Sequence, residues 1–327
     1  MENSTRPVFT FGVIADIQYA DIDDGLNFLK TRRRYYRNSL KLLRSAIQGW
    51  KEERVQPCFI LQLGDIIDGN NKKHEASDRA LETVIHEFEN SLVKVHNVWG
   101  NHEFYNFNRN SLFASLINSG EKAESGSGLI DDEIYAYHFS PAPKFRFVVL
   151  DAYDLSIIGR DPTNEKYNQA IKILKEHNNN DDLNHPPGSG WLNQRFVKFN
   201  GAFSQEQLQW FDEVLTLADQ KHERVTIVSH LPVHPSSTDP ICLAWNYDSM
   251  LSIIHSHKSV VCFIAGHDHD GGYHKDESGI HHLTLEGVIE THPDSNAFGT
   301  VYVYDDQMVL KGNGRVEDRV LMYPNSF

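Results

Sequence analysis

The chain has few cysteines, no long apolar run and no excess of basic residues over its 327 positions. Its three cysteines form no Cys-x-x-Cys pair. Cys58 and Cys262 lie in apolar, strand-like runs, so we expect buried free thiols rather than a disulfide framework. No segment is long enough to cross a membrane, and no apolar signal-peptide core precedes Val8. These absences predict a protein of a reducing, cytoplasmic compartment without a membrane partner.

The charge balance is acidic, with 31 Lys and Arg residues against 45 Asp and Glu residues and a formal net charge of -14. Nucleic-acid binding depends on Lys and Arg side chains that displace counterions from phosphates, so this balance argues against a nucleic-acid partner. It does not exclude a phosphorylated small molecule, because a bound metal ion can reverse the local field. The sequence leaves the oligomeric state open.

Short β-branched runs alternate with helical patterns along the chain, which predicts an α/β protein. Apolar spacing predicts helices over 36–50 and 81–92, and Ser204 with Gln207 forms the S-x-x-Q pattern that begins a later helix. The predicted strands are 8–15, 58–63, 95–99, 145–150, 224–229, 259–265, 281–288 and 300–304. We expect a single domain over 1–327, with polar loop insertions near 119–133 and 176–190.

Polar side chains follow five of the predicted strands, at the point where each apolar run ends. A single Asp after a strand is more often a turn residue or a helix cap. In α/β sheets, however, the carboxyl ends of strands are where ligands bind, and buried unpaired carboxylates and imidazoles are costly. Five such positions in one chain therefore predict bound cations. The residues concerned are Asp16, Gln18, Asp65, Asp68, Asn101, His102, Glu103, His230, His267 and His269.

Seven of these side chains are candidate metal ligands with mixed oxygen and nitrogen donors, namely Asp16, Gln18, Asp65, Asn101, His230, His267 and His269. They are too many for one tetrahedral zinc ion. They suit two adjacent octahedral-type divalent ions that share a carboxylate and a water. Gly64, Gly100 and Gly266 each precede a donor, where the backbone must turn sharply or approach closely.

The blocks "DIQ", "GDIID", "GNHE", the lone His230 and "GHDH" resemble, in this order, the signature of the calcineurin-like metallophosphoesterase superfamily. They span residues 16–269, most of the chain. The resemblance implies a β-sandwich of two mixed sheets flanked by helices in four layers. It places the metals at the carboxyl ends of the strands.

The same resemblance implies two metal positions that share Asp65 as a bridge. The first would be held by Asp16, Gln18, Asp65 and His269. The second would be held by Asp65, Asn101, His230 and His267. His102, oriented by Asp68, would lie beside the metals as an acid or charge stabiliser.

Gln18 departs from the family pattern, since most members carry His at that position. Its neutral amide oxygen favours Mn²⁺, with Mg²⁺ as an alternative and Zn²⁺ disfavoured. Asp-x-Gln, with "TRRRYYR" and "CLAWNYD", resembles a subgroup that hydrolyses the diphosphate bond of nucleotide-linked small molecules. The implied reactions, run by a hydroxide between two metals, convert ADP-ribose to AMP and ribose 5-phosphate. They also convert CDP-choline or CDP-glycerol to CMP and a phospho-alcohol.

Two rival functions stay open on the sequence. The same fold could act on a phosphomonoester, a phosphoprotein or a cyclic nucleotide, which the DIQ block disfavours. The chain could instead be a noncatalytic scaffold. Scaffolds lose metal ligands, whereas all seven donors and the His102–Asp68 pair are present here.

Loops around the metals must provide the contacts that select the substrate. Aromatic side chains there could stack on a nucleobase, although they could equally fill the core. Arginines could meet a phosphate, although a basic helical face is usually solvated. The candidates are Phe28, Tyr105, Phe107, Cys242 and Asn246, with Arg32, Arg33, Arg34 and Trp245 as further possibilities.

Overall fold

A computed structural model describes residues 6–27, 29–120 and 133–324. Its helices are α1 (Tyr36–Glu52), α2 (Asn70–Lys73), α3 (Ser77–Glu89), α4 (Asn101–Asn106), α5 (Arg109–Phe113), α6 (Glu165–His177), α7 (Gln205–Gln220) and α8 (Tyr247–Ser256). Its first strands are β1 (Phe9–Ile14), β2 (Gly25–Leu26), β3 (Arg33–Arg34), β4 (Phe59–Gln62), β5 (Lys94–Asn97), β6 (Tyr137–Ala142) and β7 (Phe145–Val149). The later strands are β8 (Arg224–Val228), β9 (Val260–Ala265), β10 (Gly272–Lys275), β11 (His281–Thr284), β12 (Ala297–Val303), β13 (Gln307–Gly314) and β14 (Arg319–Met322).

The described residues form two six-stranded mixed sheets and a small β2–β3 ribbon. The first large sheet has the order β14-β13-β12-β1-β4-β5, and the second has the order β10-β11-β9-β8-β7-β6. Within them, β1, β4 and β5 run parallel, as do β7, β8, β9 and β11. The parallel strands therefore bring their carboxyl ends to one edge of each sheet.

The two sheets face each other across a core rich in aromatic rings. Phe11 of β1 stacks on Phe59 of β4 with centroids 5.2 Å apart. Phe147 of β7 meets both rings edge-on, also at 5.2 Å. Edge-to-face rings add about 0.5–1.5 kcal/mol to the area that they bury, so this cluster holds the sheets in a fixed relation.

Helix α1 covers the outer face of the first sheet. The Trp50 indole donates a hydrogen bond to the Gly299 carbonyl of β12 at 3.1 Å. Gly12 leaves the room for this ring, because a Cβ atom there would lie 2.7 Å from the indole. With α7 packed on β8 of the second sheet and α8 packed beside α7, the four-layer α/β sandwich expected from the sequence is confirmed.

Helix α7 begins as its sequence predicts, but with one difference. Ser204 Oγ accepts a hydrogen bond from the Gln207 backbone N–H at 3.2 Å. The Gln207 side chain does not return to Ser204. It binds the backbone N–H and carbonyl of Asp151 at 2.8 and 2.9 Å instead, and so ties α7 to the end of β7.

All eight predicted strands are present, and β6, β10, β13 and β14 of the large sheets and the two strands of the β2–β3 ribbon are additional. Of the four in the large sheets, three are edge strands, where only part of the side chains is buried and the apolar signal is weak. The predicted strand 281–288 ends early at Thr284, and Val288–Glu290 forms a 3₁₀ turn.

The expected burial of Cys58 is wrong. This residue is exposed because β4 begins after it, whereas Cys262 is buried as expected. Most of the expected insertion at 119–133 lies outside the described residues. The segment 178–190 has no regular structure, although helix α6 extends to His177. Within the described ranges no helix has both the length and the apolar character that a bilayer span requires.

His96 gives the fold a measurable pH dependence. Its ring is buried against Phe139, with centroids 3.7 Å apart, and burial together with Lys94 lowers the pKa of His96 to about 3. In the unfolded chain His96 has its ordinary pKa near 6.5. Below that pH the unfolded chain therefore binds a proton that the folded chain does not bind. Stability must fall as the pH falls below that value.

We predict that the free energy of unfolding drops by about 2 kcal/mol more between pH 7 and pH 5 in the parent than in His96→Phe. Urea unfolding of both proteins at both pH values, in the presence of a chelator, measures these free energies of unfolding. The hydrogen bond to Tyr137 lost in the variant affects both pH values alike and cancels. Equal changes in the two proteins would contradict the prediction.

Candidate metal centre

Strands from both sheets end at one place, and the predicted ligands lie just beyond them. The donor atoms of Asp65, His230 and His267 all lie within 4.8 Å of one another. The His269 Nε2 atom lies 3.4 Å from Asp16 Oδ1. Asp16, Asp65 and His230 are buried, whereas His267 and His269 are partly exposed. The sequence-predicted donors from β1, β4, β8 and β9 thus share one site.

Each of the three imidazoles is anchored through one ring nitrogen and turns the other, here called the free nitrogen, toward the cluster. The anchoring acceptors are Leu63 O for His230 Nδ1 (2.7 Å), Asn200 Oδ1 for His267 Nε2 (2.9 Å) and Glu290 Oε1 for His269 Nδ1 (2.9 Å). The free nitrogens point toward the carboxylates. Histidines that bind metals usually donate their other N–H in this way, which fixes the tautomer and the ring orientation.

Asn200 is held so that only its oxygen can face His267. Its Nδ2 atom donates to the carbonyls of Arg195, Ile241 and Leu243 at 2.9, 2.7 and 3.2 Å. The amide cannot flip without losing these bonds. The free nitrogen of His267 is therefore Nδ1.

Two free imidazole nitrogens face each other across 3.2 Å, His230 Nε2 and His267 Nδ1. Two lone pairs at this distance repel unless a proton or a cation lies between them. Burial disfavours the charged form of His230 and so lowers its pKa. The Asp65 carboxylate has the larger opposite effect, and the pKa of His230 is raised to about 9. Burial and the charge of His230 hold the pKa of His267 well below its ordinary value. A proton on His230 thus occupies the position that a cation would take.

The buried acceptors are under-satisfied, as a metal site requires. Among the described residues, Asp16 Oδ1 and Gln18 Oε1 are buried without a hydrogen-bond partner. Asp16 Oδ2 accepts only from the His267 backbone N–H, at 3.0 Å. Unmatched buried oxygens are costly, and divalent cations would satisfy them. The residues present therefore fit the two-metal centre implied by the sequence.

Gln18 has its amide nitrogen turned toward the site. Nε2 lies 2.9 Å from His269 Nε2 and 3.2 Å from Asp65 Oδ2, so the amide nitrogen faces these two groups. A half-turn of the amide exchanges the two atoms and brings the oxygen to the same position. The amide N–H here takes the place of a cation, and the predicted ligand role of Gln18 requires that half-turn.

Four of the candidate ligands adopt left-handed backbone conformations, with φ of 52° at Asp16, 43° at Gln18, 56° at Asp65 and 71° at His267. Such geometry costs about 1–2 kcal/mol per residue. Backbone bonds hold it in place, among them Gln18 N–H to Asp65 O at 2.9 Å. Strain concentrated at one cluster is typical of functional sites.

His102 lies beside the cluster, 3.9 Å from Asp65 Oδ2 through Nε2. The expected partner, Asp68 Oδ2, is 3.3 Å from His102 Nδ1. However, the Gly69 backbone N–H donates to that nitrogen at 2.8 Å. Nδ1 is therefore the acceptor, and the proton of the neutral ring is on Nε2. Gly69, rather than Asp68, fixes the tautomer, and Asp68 Oδ2 has no hydrogen-bond partner among the described residues.

Asn101 belongs to the same edge at the start of α4, where its Oδ1 accepts from the Tyr153 hydroxyl at 3.2 Å. Sequence reasoning gave no role to Glu103, although it belongs to the GNHE block. Its buried carboxylate accepts the N–H groups of Gly100, Asp65 and Ile66 at 2.6–2.8 Å. It therefore braces both ligand-bearing loops. Asn200 and Glu290 were also missed, because no local pattern marks them.

The predicted substrate contacts are distributed unevenly. Tyr105 is half-buried and meets His102 edge-on at 5.1 Å, which places it beside the site. Phe107 and Cys242 are half-buried, and Phe107 packs on the core. The Asn246 amide binds the backbone of Phe203 through both of its ends. Phe28 lies outside the described residues.

The three candidate arginines differ in their surroundings. Arg32 pairs with Asp270 at 2.6 Å and Arg33 with Asp24 at 3.1 Å, both near the surface. Arg34 is largely buried between Glu290 (3.3 Å) and Asp68 (3.7 Å). Arg34 is thus the one of the three that adds positive charge at the site. Trp245 fills a small separate core rather than the site.

Known proteins resemble this chain in sequence and structure. A profile described as calcineurin-like phosphoesterase matches residues 9–271. A Danio rerio protein named manganese-dependent ADP-ribose/CDP-alcohol diphosphatase is 63% identical over 320 residues, covering 97% of this chain and 99% of its own. A Homo sapiens protein of that name is 54% identical over 327 residues, covering 99% and 95%. A crystal structure of a dimetal phosphatase from Danio rerio superposes with a TM-score of 0.93 at 63% identity, covering 97% and 99%.

The close packing of Gly100 generates a prediction. A Cβ atom there would lie 2.2 Å from Asp65 Oδ1 and 2.8 Å from His230 Nε2. We expect Gly100→Ala to displace both groups and to weaken Mn²⁺ binding about 10- to 100-fold. Titration with detection of free Mn²⁺ by electron paramagnetic resonance measures this. Gly188→Ala is the matched control, because nothing lies within 4 Å of its Cβ position. Equal affinity in the two variants would contradict the prediction.

Proposed function

Because the chain belongs to the calcineurin-like phosphoesterase family, we propose that it is a metal-dependent hydrolase of the diphosphate bond in nucleoside diphosphate-linked small molecules. ADP-ribose would give AMP and ribose 5-phosphate, and CDP-choline or CDP-glycerol would give CMP and the phospho-alcohol. The observation that carries the proposal is the buried cluster in which carboxylates and three imidazoles direct their free donor atoms at one another. The names of the relatives support the substrate class.

In the proposed site, Asp65 would contribute to the binding of two divalent cations. Asp16, Gln18 and His269 would hold one cation, and Asn101, His230 and His267 would hold the other. Mn²⁺ suits the oxygen-rich half of this donor set, and manganese dependence is part of the relatives' name. When bound, the cations polarise phosphoryl oxygens and lower the pKa of a water molecule.

His102 and Arg34 supply the remaining charge control in this proposal. The Nε2–H group of His102 would donate a hydrogen bond to the departing phosphate oxygen and stabilise the negative charge that develops there, while the protons of the attacking water pass to solvent and to the product phosphates. The oxygen of one water molecule joins phosphorus in one product, and the oxygen of the broken P–O bond leaves with the other. Arg34 offsets the negative charge of Asp68 and Glu290 that would otherwise repel an anionic substrate.

The test of the proposal is a metal-stripped sample re-supplied with Mn²⁺, Mg²⁺ or Zn²⁺. It would be assayed on ADP-ribose, CDP-choline, CDP-glycerol and a simple aryl phosphate. We expect Mn²⁺ to restore the most activity and the diphosphate substrates to be preferred. A clear preference for the aryl phosphate would replace the proposal with a phosphomonoesterase. No bound metal and no turnover under excess Mn²⁺ would leave a noncatalytic scaffold.

Asp65→Ala should abolish turnover of every substrate, because both cations lose a shared ligand. Initial rates at saturating Mn²⁺ measure this effect. Asp294→Ala is the control, since its side chain is 92% exposed, and it should keep the parent rate. Substantial residual activity in Asp65→Ala would remove the bridging role from this residue.

Gln18→His should keep hydrolysis but change the metal preference. An imidazole nitrogen replaces an amide oxygen, so the activity with Zn²⁺ relative to Mn²⁺ should rise. The ratio of initial rates with the two ions is the measurement. Gln209→His, at an exposed position on α7, controls for the added histidine. A ratio like that of the control would contradict the role given to Gln18.

A further inference from the structure

A second group of histidines lies at the β10–β11 edge of the second sheet, away from the candidate metal centre described above. His255 is on α8, His282 is on β11, and Asp276 follows β10. The Nε2 atoms of both histidines lie 2.9 Å from the same oxygen, Asp276 Oδ2. One donor atom from each of the three residues lies within 4.8 Å of the others.

Two more imidazoles adjoin this triad. The ring of His234 lies 4.6 Å from that of His282 and 4.4 Å from that of His274, measured between centroids. His234 Nδ1 accepts the Ser236 N–H at 3.1 Å. Its Nε2 is therefore the nitrogen left for another partner. We call these five residues, His234, His255, His274, Asp276 and His282, the histidine cluster.

The carboxylate at the centre of the histidine cluster is held in advance. Asp276 Oδ1 accepts the Ile280 backbone N–H at 2.9 Å, across the turn that joins β10 to β11. Oδ2 is thereby directed at the two histidines. His282 is 1% exposed. The arrangement therefore holds two imidazole nitrogens and one carboxylate oxygen within 4.8 Å of one another.

We propose that His255, Asp276 and His282 form a further site for a borderline transition-metal cation of the Zn²⁺ type, with water or His234 completing the coordination. Two imidazole nitrogens and one carboxylate oxygen, with an open position, are the donor set that Zn²⁺ accepts in tetrahedral sites. This set is richer in nitrogen than the ligands given to the catalytic centre. The two sites would therefore prefer different metals.

His234 and His282 stay unprotonated at neutral pH, which favours metal binding. Burial and the neighbouring histidines lower the pKa of His234 to about 4, and burial lowers the pKa of His282. Neutral imidazoles are the form that binds metals, so protons would compete little at neutral pH. The position is also separate from the catalytic one. His282 pairs with Phe263 of β9, whereas His267 lies four residues further along the chain, beyond the end of that strand.

A cation at the histidine cluster would connect α8 to the β10–β11 hairpin. His255 on α8 already contacts Asp276, which follows β10, through its Nε2 atom. Its side chain is 39% exposed, so replacing it should leave the fold intact. Binding would add to the stability of the folded chain, because the unfolded chain does not hold these three groups together.

The test measures the number of zinc ions bound per full-length chain. The parent, His255→Ala and His86→Ala would be equilibrated with Zn²⁺, freed of excess by gel filtration and analysed by mass spectrometry for bound metal. His86 is the control because it is an exposed histidine on α3. We expect the parent and His86→Ala to hold one zinc ion per chain more than His255→Ala. The same zinc content in all three proteins would overturn the proposal.

Asp276→Asn provides a second variant. The visible absorption of bound Co²⁺ provides a second measurement. Cobalt in a tetrahedral nitrogen and oxygen site absorbs visible light, and this band should weaken in both variants of the histidine cluster. Mn²⁺-dependent hydrolysis should stay at the parent level in His255→Ala, which separates failure of this site from failure of the catalytic centre. An unchanged cobalt spectrum in His255→Ala would overturn the proposal whether or not Asp276→Asn folds.

Discussion

A carboxylate removed from water must be matched by hydrogen bonds or by positive charge, and the carboxylate of Asp65 at the end of β4 is where this constraint is strongest. Oδ1 accepts the His102 backbone N–H at 2.8 Å, and Oδ2 lies 3.4 Å from His230 Nε2. These partners come from different sheets. The site can therefore exist only while the aromatic core keeps the two sheets in a fixed relation, so the packing of Phe11, Phe59 and Phe147 serves the chemistry indirectly.

A ring of supporting groups gives the candidate ligands their direction. Leu63, Asn200 and Glu290 each take one imidazole N–H, and Glu103 holds the loops that follow β4 and β5. The left-handed backbone at four ligand positions is the other part of this support. The donor atoms are consequently placed before any cation arrives, which lowers the reorganisation that binding requires.

The strand ends and the candidate ligands could be predicted because both follow from local patterns. Apolar runs give the strands, and Asp, Asn, Gln or His just beyond a run gives the ligands. Asn200 and Glu290 could not be predicted, since each acts on a histidine that is distant in sequence. The tautomer of His102 depends on a backbone group, Gly69 N–H, which no side-chain pattern reveals. Edge strands such as β10 were missed because partial burial leaves a weak apolar signal, whereas Cys58 was wrongly expected to be buried because the apolar run begins one residue before β4.

The bond from His267 N–H to Asp16 Oδ2 joins residues that are 251 positions apart. During synthesis on the ribosome, β1 emerges with Asp16 long before β9 has been translated. Closure of so long a loop is slow, and contacts of this separation form late in folding. The acidic groups of the first sheet must therefore stay hydrated in the nascent chain. The candidate metal site therefore cannot be assembled before the chain has been synthesised as far as His269.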